Sequence, residues 1–282
     1  MLCFPNCKIN IGLYVTRKRP DGYHDIETVF YPIIAEAMAG EPMNMQLRDV
    51  LEVVNAPVTS LHMTGLPVKG NDSDNLVFKA YHLLKNRFPG IVSGLDIYLH
   101  KVIPMGAGLG GGSADGAFML RLLNDYFQLK LSKPELAEMA LQLGSDCPFF
   151  IHNNPQFATG RGEQMNDIML DLNAYCLQII CPEVHVSTAK AFSMIQPKSA
   201  TFNLQRLPEL PISEWKNCVA NDFEAPVFEM HPELAEVKQA LYDQGSVYAS
   251  MSGSGSAIYG LFEKGEKGKI KSSIPFKEFY LQ

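Results

Sequence analysis

The sequence has no apolar run approaching the length of a membrane span, no cluster of lysine and arginine, and no cysteines at C-x-x-C spacing. Each absence excludes a class of function. A bilayer-crossing helix needs about 20 consecutive apolar residues, and the N-terminus shows no charged-then-apolar leader, so a soluble cytoplasmic protein is expected. A net charge of −6 without a local basic stripe leaves little to draw a nucleic-acid backbone to the surface. Cys3, Cys7, Cys147, Cys176, Cys181 and Cys218 are scattered along the chain. That spacing writes neither a zinc knuckle nor a redox pair, and reduced thiols are expected. Internal repeats and low-complexity tracts are also missing. At 282 residues, 46% of them hydrophobic, the chain can bury one large core or two modest ones. Two lobes are expected, residues 1–155 and 156–282.

Glycine, by contrast, is concentrated in one place. Residues 104–115 read P-M-G-A-G-L-G-G-G-S-A-D, with Gly106, Gly108, Gly110, Gly111 and Gly112 directly before Ser113. Glycine admits turns closed to other residues and lets backbone approach a ligand, and the first amides of a following helix have no intrahelical acceptor. Phosphate fits such a cradle, helped by the helix dipole. A flexible linker is the alternative, but linkers are polar on both sides. Here a strand-like run, residues 94–103, precedes the loop, and Ala117, Phe118, Met119, Leu120, Leu122 and Leu123 follow it. The Walker pattern requires a lysine that this loop lacks, and the overlay of G-x-G-x-x-G on Gly106, Gly108 and Gly111 is weak. A different nucleotide-binding solution is implied.

Upstream, P-N-C-K-I-N-I-G-L-Y-V opens a strand in which Lys8 and Asn10 share one face and Ile9 and Ile11 the other. Taken alone, a K-x-N pair reads as the solvent side of a half-exposed strand. Pro20, Asp21 and Gly22 then form a turn presenting Tyr23 and His24, which suit stacking on a base and bonding its edge, or plain surface packing. Strand-like runs follow at residues 28–34, 45–54 and 58–63. A helix opening at Ser73 and Asp74 has Leu76, Val77, Ala80, Leu83 and Leu84 on its apolar stripe and stops at Pro89-Gly90. Lys101, just before the loop, is either an edge charge or a neutraliser of phosphate. Beyond the loop helix, Ser132 to Glu135 is a capping box with proline in the first turn. The helix it starts leads to L-G-S-D-C-P-F-F, where Asp146 is either a cap or a reactive acid at the rim of a buried site. Residues 155–163 read as the passage to the second lobe. There a strand is expected at 176–181, a helix at 188–195, a proline-broken stretch at 197–211 and a helix after Pro232 with Leu234, Val237 and Leu241 on one face. The stretch A-S-M-S-G-S-G-S-A, residues 249–257, lies between two strand-like runs and reads as a second glycine-serine loop or a plain hairpin. The tail beyond Glu263 reads as a charged helix or a frayed end.

P-N-C-K-I-N, P-M-G-A-G-L-G-G-G-S-A and M-S-G-S-G-S-A together resemble, in order and spacing, the three signatures of the GHMP kinases, the superfamily of galactose, homoserine, mevalonate and phosphomevalonate kinases. Within it, D-G-Y-H at 21–24, the triple glycine and L-G-S-D-C-P-F-F at 143–150 resemble the branch that acts on a CDP-linked methylerythritol in non-mevalonate isoprenoid synthesis. The resemblance implies a mixed α/β and α+β, two-lobed fold: an N-terminal lobe of ribosomal-protein type with a left-handed crossover and a ferredoxin-like C-terminal lobe. It implies ATP on Pro104, Met105, Gly106, Ala107, Gly108, Leu109, Gly110, Gly111, Gly112, Ser113 and Ala114, with the adenine near Asn75 and Lys101. Mg²⁺ is implied beside Ser113. Asp146 matches the catalytic acid and Lys8 its electrostatic partner. Asn10 would touch the substrate, and Tyr23, His24, Thr188 and Phe192 would hold the cytidine. The implied reaction moves the γ-phosphoryl group to the tertiary 2-hydroxyl of the substrate. Another small-molecule kinase of the superfamily, or a nucleotide sensor on the same scaffold, would also fit the shared motifs. Pro-Asn-Cys-Lys replaces the usual Pro-Ala-Lys, Asp115-Gly116 departs from the family pattern for no reason visible in the sequence, and Cys147 beside Asp146 is either a thiol whose modification blocks activity or one that burial makes inert.

Overall fold

The computed structural model describes residues 1–34, 47–68, 70–272 and 274–281. Its first lobe runs β1 (Leu2–Cys3), β2 (Cys7–Lys18), β3 (His24–Ile33), β4 (Val50–Asn55), β5 (Ser60–Gly65), α1 (Leu76–Arg87), β6 (Leu95–Lys101), α2 (Gly111–Tyr126), α3 (Lys133–Leu143), α4 (Cys147–His152), β7 (Gln156–Thr159) and β8 (Gln164–Asp167). These strands make two sheets, ordered β1-β4-β6-β5 and β2-β3-β7-β8. The parallel pair β5 and β6 is joined through α1, as a parallel pair requires a crossover. The strand expected at 45–54 begins at Val50; residues 45 and 46 lie outside the described ones.

Local chemistry sets the helix ends. Asp72–Asp74 form a 3₁₀ turn, so the helix expected to open at Ser73 opens at Leu76, where the Asn75 side chain accepts from the Val77 amide at 3.0 Å. An asparagine cap wins because its short side chain reaches the second amide of the helix. Ser132 and Glu135 form the capping box read from the sequence. Gly116 lies where α2 crosses α1: a Cβ there would sit 3.0 Å from Leu76 Cβ. That contact gives the glycine of Asp115-Gly116 a packing reason.

Residues 155–163 do not lead out of the lobe. They build the β7–β8 hairpin, which pairs with β3 through Thr28, Val29 and Phe30 and extends the sheet of β2. Glycines and a charge pair looked like a linker because a tight turn and a linker use the same residues.

The second lobe contains β9 (Tyr175–Pro182), α5 (Thr188–Met194), α6 (Ile212–Cys218), α7 (Glu224–Met230), α8 (Pro232–Asp243), β10 (Tyr248–Met251), β11 (Ile258–Glu263) and β12 (Phe276–Leu281). Its antiparallel sheet runs β10-β11-β9-β12, with β11 between β9 and β10, the split arrangement of ferredoxin-like lobes. The tail is thus an edge strand on β9, neither a helix nor a frayed end. Leu234, Val237 and Leu241 of α8 are fully buried against that sheet, each contributing roughly 1.5–3 kcal/mol of burial. One apolar cluster joins the lobes, with Ile9, Ile11 and Tyr14 of β2 packed among Ile179, Trp215, Tyr248 and Tyr259. Among the described residues no helix is long and apolar enough to cross a membrane.

Candidate active site

The glycine loop between β6 and α2 holds Gly106, Gly108 and Gly110 at φ of +69°, +78° and +72°, the left-handed region that favours glycine. Gly110 caps α2 without a side chain. Ala114 is the residue whose amide returns to Gly110 O, at 2.9 Å, so the amides of the first turn are left for an anion. Ser113 stands in that turn and is half-buried. Ala107 and Leu109 are buried and anchor the loop, while Met105 is exposed.

The second glycine-serine stretch is a hairpin turn between β10 and β11, and it also braces the first loop. Ser252 Oγ donates to Gly108 O at 2.9 Å, the Ala257 amide to Ala107 O at 3.0 Å, and the Asn10 amide to Ser252 Oγ at 3.2 Å. A Cβ on Gly108 would lie 1.9 Å from Ser252 O. Asn221 fastens the hairpin by donating to Met251 O and Gly253 O, both at 2.8 Å.

Lys8 and Asn10 share a strand face, as expected, but that face is buried: they are 3% and 2% exposed. The half-exposed reading fails because β2 is covered on both sides, by the inter-lobe core and by the glycine loop. The Lys8 amide donates to Leu109 O at 2.9 Å, and its Nζ donates to Asn10 Oδ1 at 2.5 Å and to Gly108 O at 3.1 Å. Asn10 Nδ2 in turn donates to Thr28 Oγ1 at 2.9 Å. Asp146 lies 3.7 Å from Lys8 Nζ. It stands at the N-terminus of α4 yet makes no side-chain cap bond, so its carboxylate is left to the site, about one-third exposed. Burial pulls the Lys8 ammonium below the usual lysine range, and Asp146 beside it works in the opposite direction.

Lys101 is neither an edge charge nor a free phosphate neutraliser. Its Nζ is held by Asp49 and, at 2.6 Å, by Asp115, all three buried. Asp49 Oδ1 also accepts from the amides of Val102 and Ile103 at 2.6 and 2.9 Å. Burial works against the lysine charge, but Asp115 and Asp49 outweigh it and hold its pKa above the ordinary value. Burial pushes the Asp115 carboxyl up, against Lys101. The charge of Asp115 thus has a structural reason, and Lys101 has little positive field left for a ligand. Asn75 and Lys101 do come together: with Met63, Met105, Gly112 and Asp115 they line a cavity of about 150 Å³ beside the loop.

Of the residues expected to hold a base, His24 and Phe192 meet, one from each lobe. The His24 and Phe192 rings stack at 4.9 Å and 17°, and Thr188 Oγ1 lies 2.9 Å from Ser254 Oγ. Phe192 is steadied edge-on by Phe223 at 4.7 Å. Tyr23 is 56% exposed, with the Arg161 guanidinium 5.1 Å from its ring centre. Desolvation, then Lys18, lowers the His24 pKa below the ordinary histidine value. The imidazole is therefore neutral at pH 7 and can both donate and accept. Cys147 is fully buried and its thiol is pushed up to about 12 by that burial, which removes it as a nucleophile.

Sequence reading missed Asp49, Asp115, Thr28, Ser252, Asn221 and Arg161. Only Ser252 carried a signal, its place in a glycine-serine stretch; the others are ordinary residues, each with a contact 14 or more positions away.

Residues 75–154 match the family description GHMP kinases N terminal domain, and residues 207–280 match GHMP kinases C terminal. The 4-diphosphocytidyl-2-C-methyl-D-erythritol kinase of Bacteroides thetaiotaomicron is 50% identical over 267 residues, covering 93% of this chain and 92% of that protein. The Parabacteroides distasonis protein of the same name is 49% identical over 264 residues, covering 94% and 92%. A crystal structure of 4-(cytidine 5'-diphospho)-2C-methyl-D-erythritol kinase aligns with a TM-score of 0.73 at 30% identity, over 93% of this chain and 90% of that one. With a matching family domain in each lobe and relatives near half identity over almost the full length, the chain belongs to the GHMP kinases.

Proposed function

We propose that this kinase transfers the γ-phosphoryl group of ATP to the 2-hydroxyl of 4-diphosphocytidyl-2-C-methyl-D-erythritol, in the cytoplasm, as a step of non-mevalonate isoprenoid precursor synthesis. The observation that carries the reading is the meeting of Lys8, Asp146 and the glycine loop within hydrogen-bond or ion-pair reach, to which a stacked pair of rings, one from each lobe, is added. ATP sits with its phosphates on residues 104–114 and its adenine in the cavity lined by Asn75 and Lys101.

Phosphoryl transfer passes through a loose transition state, so the protein contributes position and charge more than covalent chemistry. Asp146 orients the acceptor hydroxyl and takes its proton late in the transfer. Lys8, fixed by Asn10 and Gly108 O, lies beside that carboxylate and faces the transferring group. Asn10 contacts the acceptor beside it. Tyr23, His24, Thr188 and Phe192 take the cytidine. Since His24 and Phe192 are in van der Waals contact, the base stacks on an open ring face or displaces His24.

Mg²⁺ suits the residues present. It takes oxygen ligands, keeps several waters and rides on nucleotide phosphates with one or two protein groups. The Ser113 hydroxyl in the first turn of α2 and the uncapped Asp146 carboxylate are the oxygens that would hold it. Bound, the ion supplies neutralisation of the β- and γ-phosphates.

An ADP-release assay with ATP and Mg²⁺, run in parallel with the CDP-linked methylerythritol, mevalonate, homoserine and galactose, tests the reading. Turnover with the first alone is expected. Equal turnover with another alcohol, or ATP binding without transfer to any, would overturn it.

A further inference from the structure

The β7–β8 turn carries a cation that the mechanism above does not use. Residues 160–163 read G-R-G-E, with Gly160 and Gly162 at φ of +67° and +105°. Gly160 O accepts the Ile26 amide at 2.7 Å, which ties the turn to β3. At one end of the turn the Arg161 guanidinium lies over the ring of Tyr23. At the other, a methyl group on Gly162 would sit 3.6 Å from Asp146 Oδ1. The turn therefore spans the distance between the base-stacking residues and the acid that orients the acceptor hydroxyl.

In a CDP-linked alcohol, the group between base and acceptor hydroxyl is a diphosphate. Along that span Asp146 is paired with Lys8 and Asp21 with Arg19, while Glu163 lies within the turn itself. Glu163 spends one oxygen on the Arg161 amide at 2.5 Å and stands 3.8 Å from Arg161 Nε. It fixes the backbone more than it occupies the guanidinium, which remains about one-third exposed. A planar fork of donors with a permanent charge is the side chain best matched to two adjacent phosphates.

We infer that Arg161 binds the diphosphate of the acceptor substrate and sets the preference for a diphosphate-linked alcohol over a bare one. The inference rests on the acceptor proposed above. Its test is calorimetric titration of the full-length protein and of Arg161→Ala and Arg161→Lys with CDP and with cytidine. A charge-assisted fork gives wild-type protein a preference for CDP over cytidine of about 10- to 100-fold. Arg161→Ala should lose most of that preference while keeping its cytidine affinity, and Arg161→Lys should recover part of it. In turnover, KM for the CDP-linked alcohol should rise by about 10-fold or more with KM for ATP unchanged. An unchanged CDP-to-cytidine ratio in Arg161→Ala would overturn the assignment. So would equal weakening of both ligands, since Arg161 would then act only by holding Tyr23. Wild-type protein that binds neither ligand would overturn the acceptor itself and this inference with it.

Discussion

Lys8 and Asn10 lie on one strand and Asp146 on a turn far off in sequence, and their chemistry depends on what surrounds each. Asp146 leaves α4 uncapped and approaches Lys8 only at 3.7 Å, a long ion pair. Asp146→Asn should therefore fold with only a small drop in melting temperature and lose roughly 10²- to 10⁴-fold in kcat, read by ADP release. Lys8 differs, because its ammonium also holds Asn10 and Gly108 O; Lys8→Met should lower both kcat and the melting temperature. The pairing of Lys8 with Asn10 was legible from strand alternation. Their burial was not, because alternation reports which residues share a face and says nothing of what covers it. Cys147 gives a prediction of the opposite kind. A group whose pKa is raised to about 12 carries almost no thiolate at pH 8, and reactivity grows only as pH climbs towards that value. Iodoacetamide at pH 8 should label the half-buried Cys218 before Cys147 and leave turnover unaffected.

At the scale of elements, the loops are held by contacts that a substitution can expose. Gly108→Ala would meet Ser252 O and force a left-handed alanine at once, so stability should fall by more than about 1 kcal/mol, with KM for ATP raised. Lys101→Met leaves Asp49 and Asp115 buried without a counter-charge, a loss of about 3–5 kcal/mol, on the order of 10 °C in a thermal melt. Adding Asp49→Asn and Asp115→Leu should recover much of it, which would mark the trio as structural. Elements with periodic apolar stripes, such as α1, α2, α3 and α8, were legible because burial needs one face only. The tail was not. Its strand, β12, is short, lies on an edge and follows the charge-rich 263–271, and charge on an edge strand looks like solvent-exposed tail. Helices α6 and α7, seven residues each, are too short to show a period.

For the whole molecule, deletion of residues 276–282 removes the strand that pairs with β9 from Pro182 to Leu177. Since β9 is almost wholly buried, the truncated chain should aggregate, seen as loss of the soluble fraction. The family resemblance made the two-lobe plan and the three motifs readable. The way the motifs interlock was beyond reach, since Asn10 meets Ser252 across 242 positions and Tyr259 OH donates to Asn10 O across 249. Those two contacts also govern timing. Loop-closure entropy makes such distant pairings late events in folding, and synthesis proceeds at about 5–20 residues per second from the N-terminus. Lys8 and the glycine loop leave the ribosome long before the hairpin that braces them. A nascent chain is therefore catalytically silent until that hairpin has emerged, and the onset of ATP consumption reports its arrival.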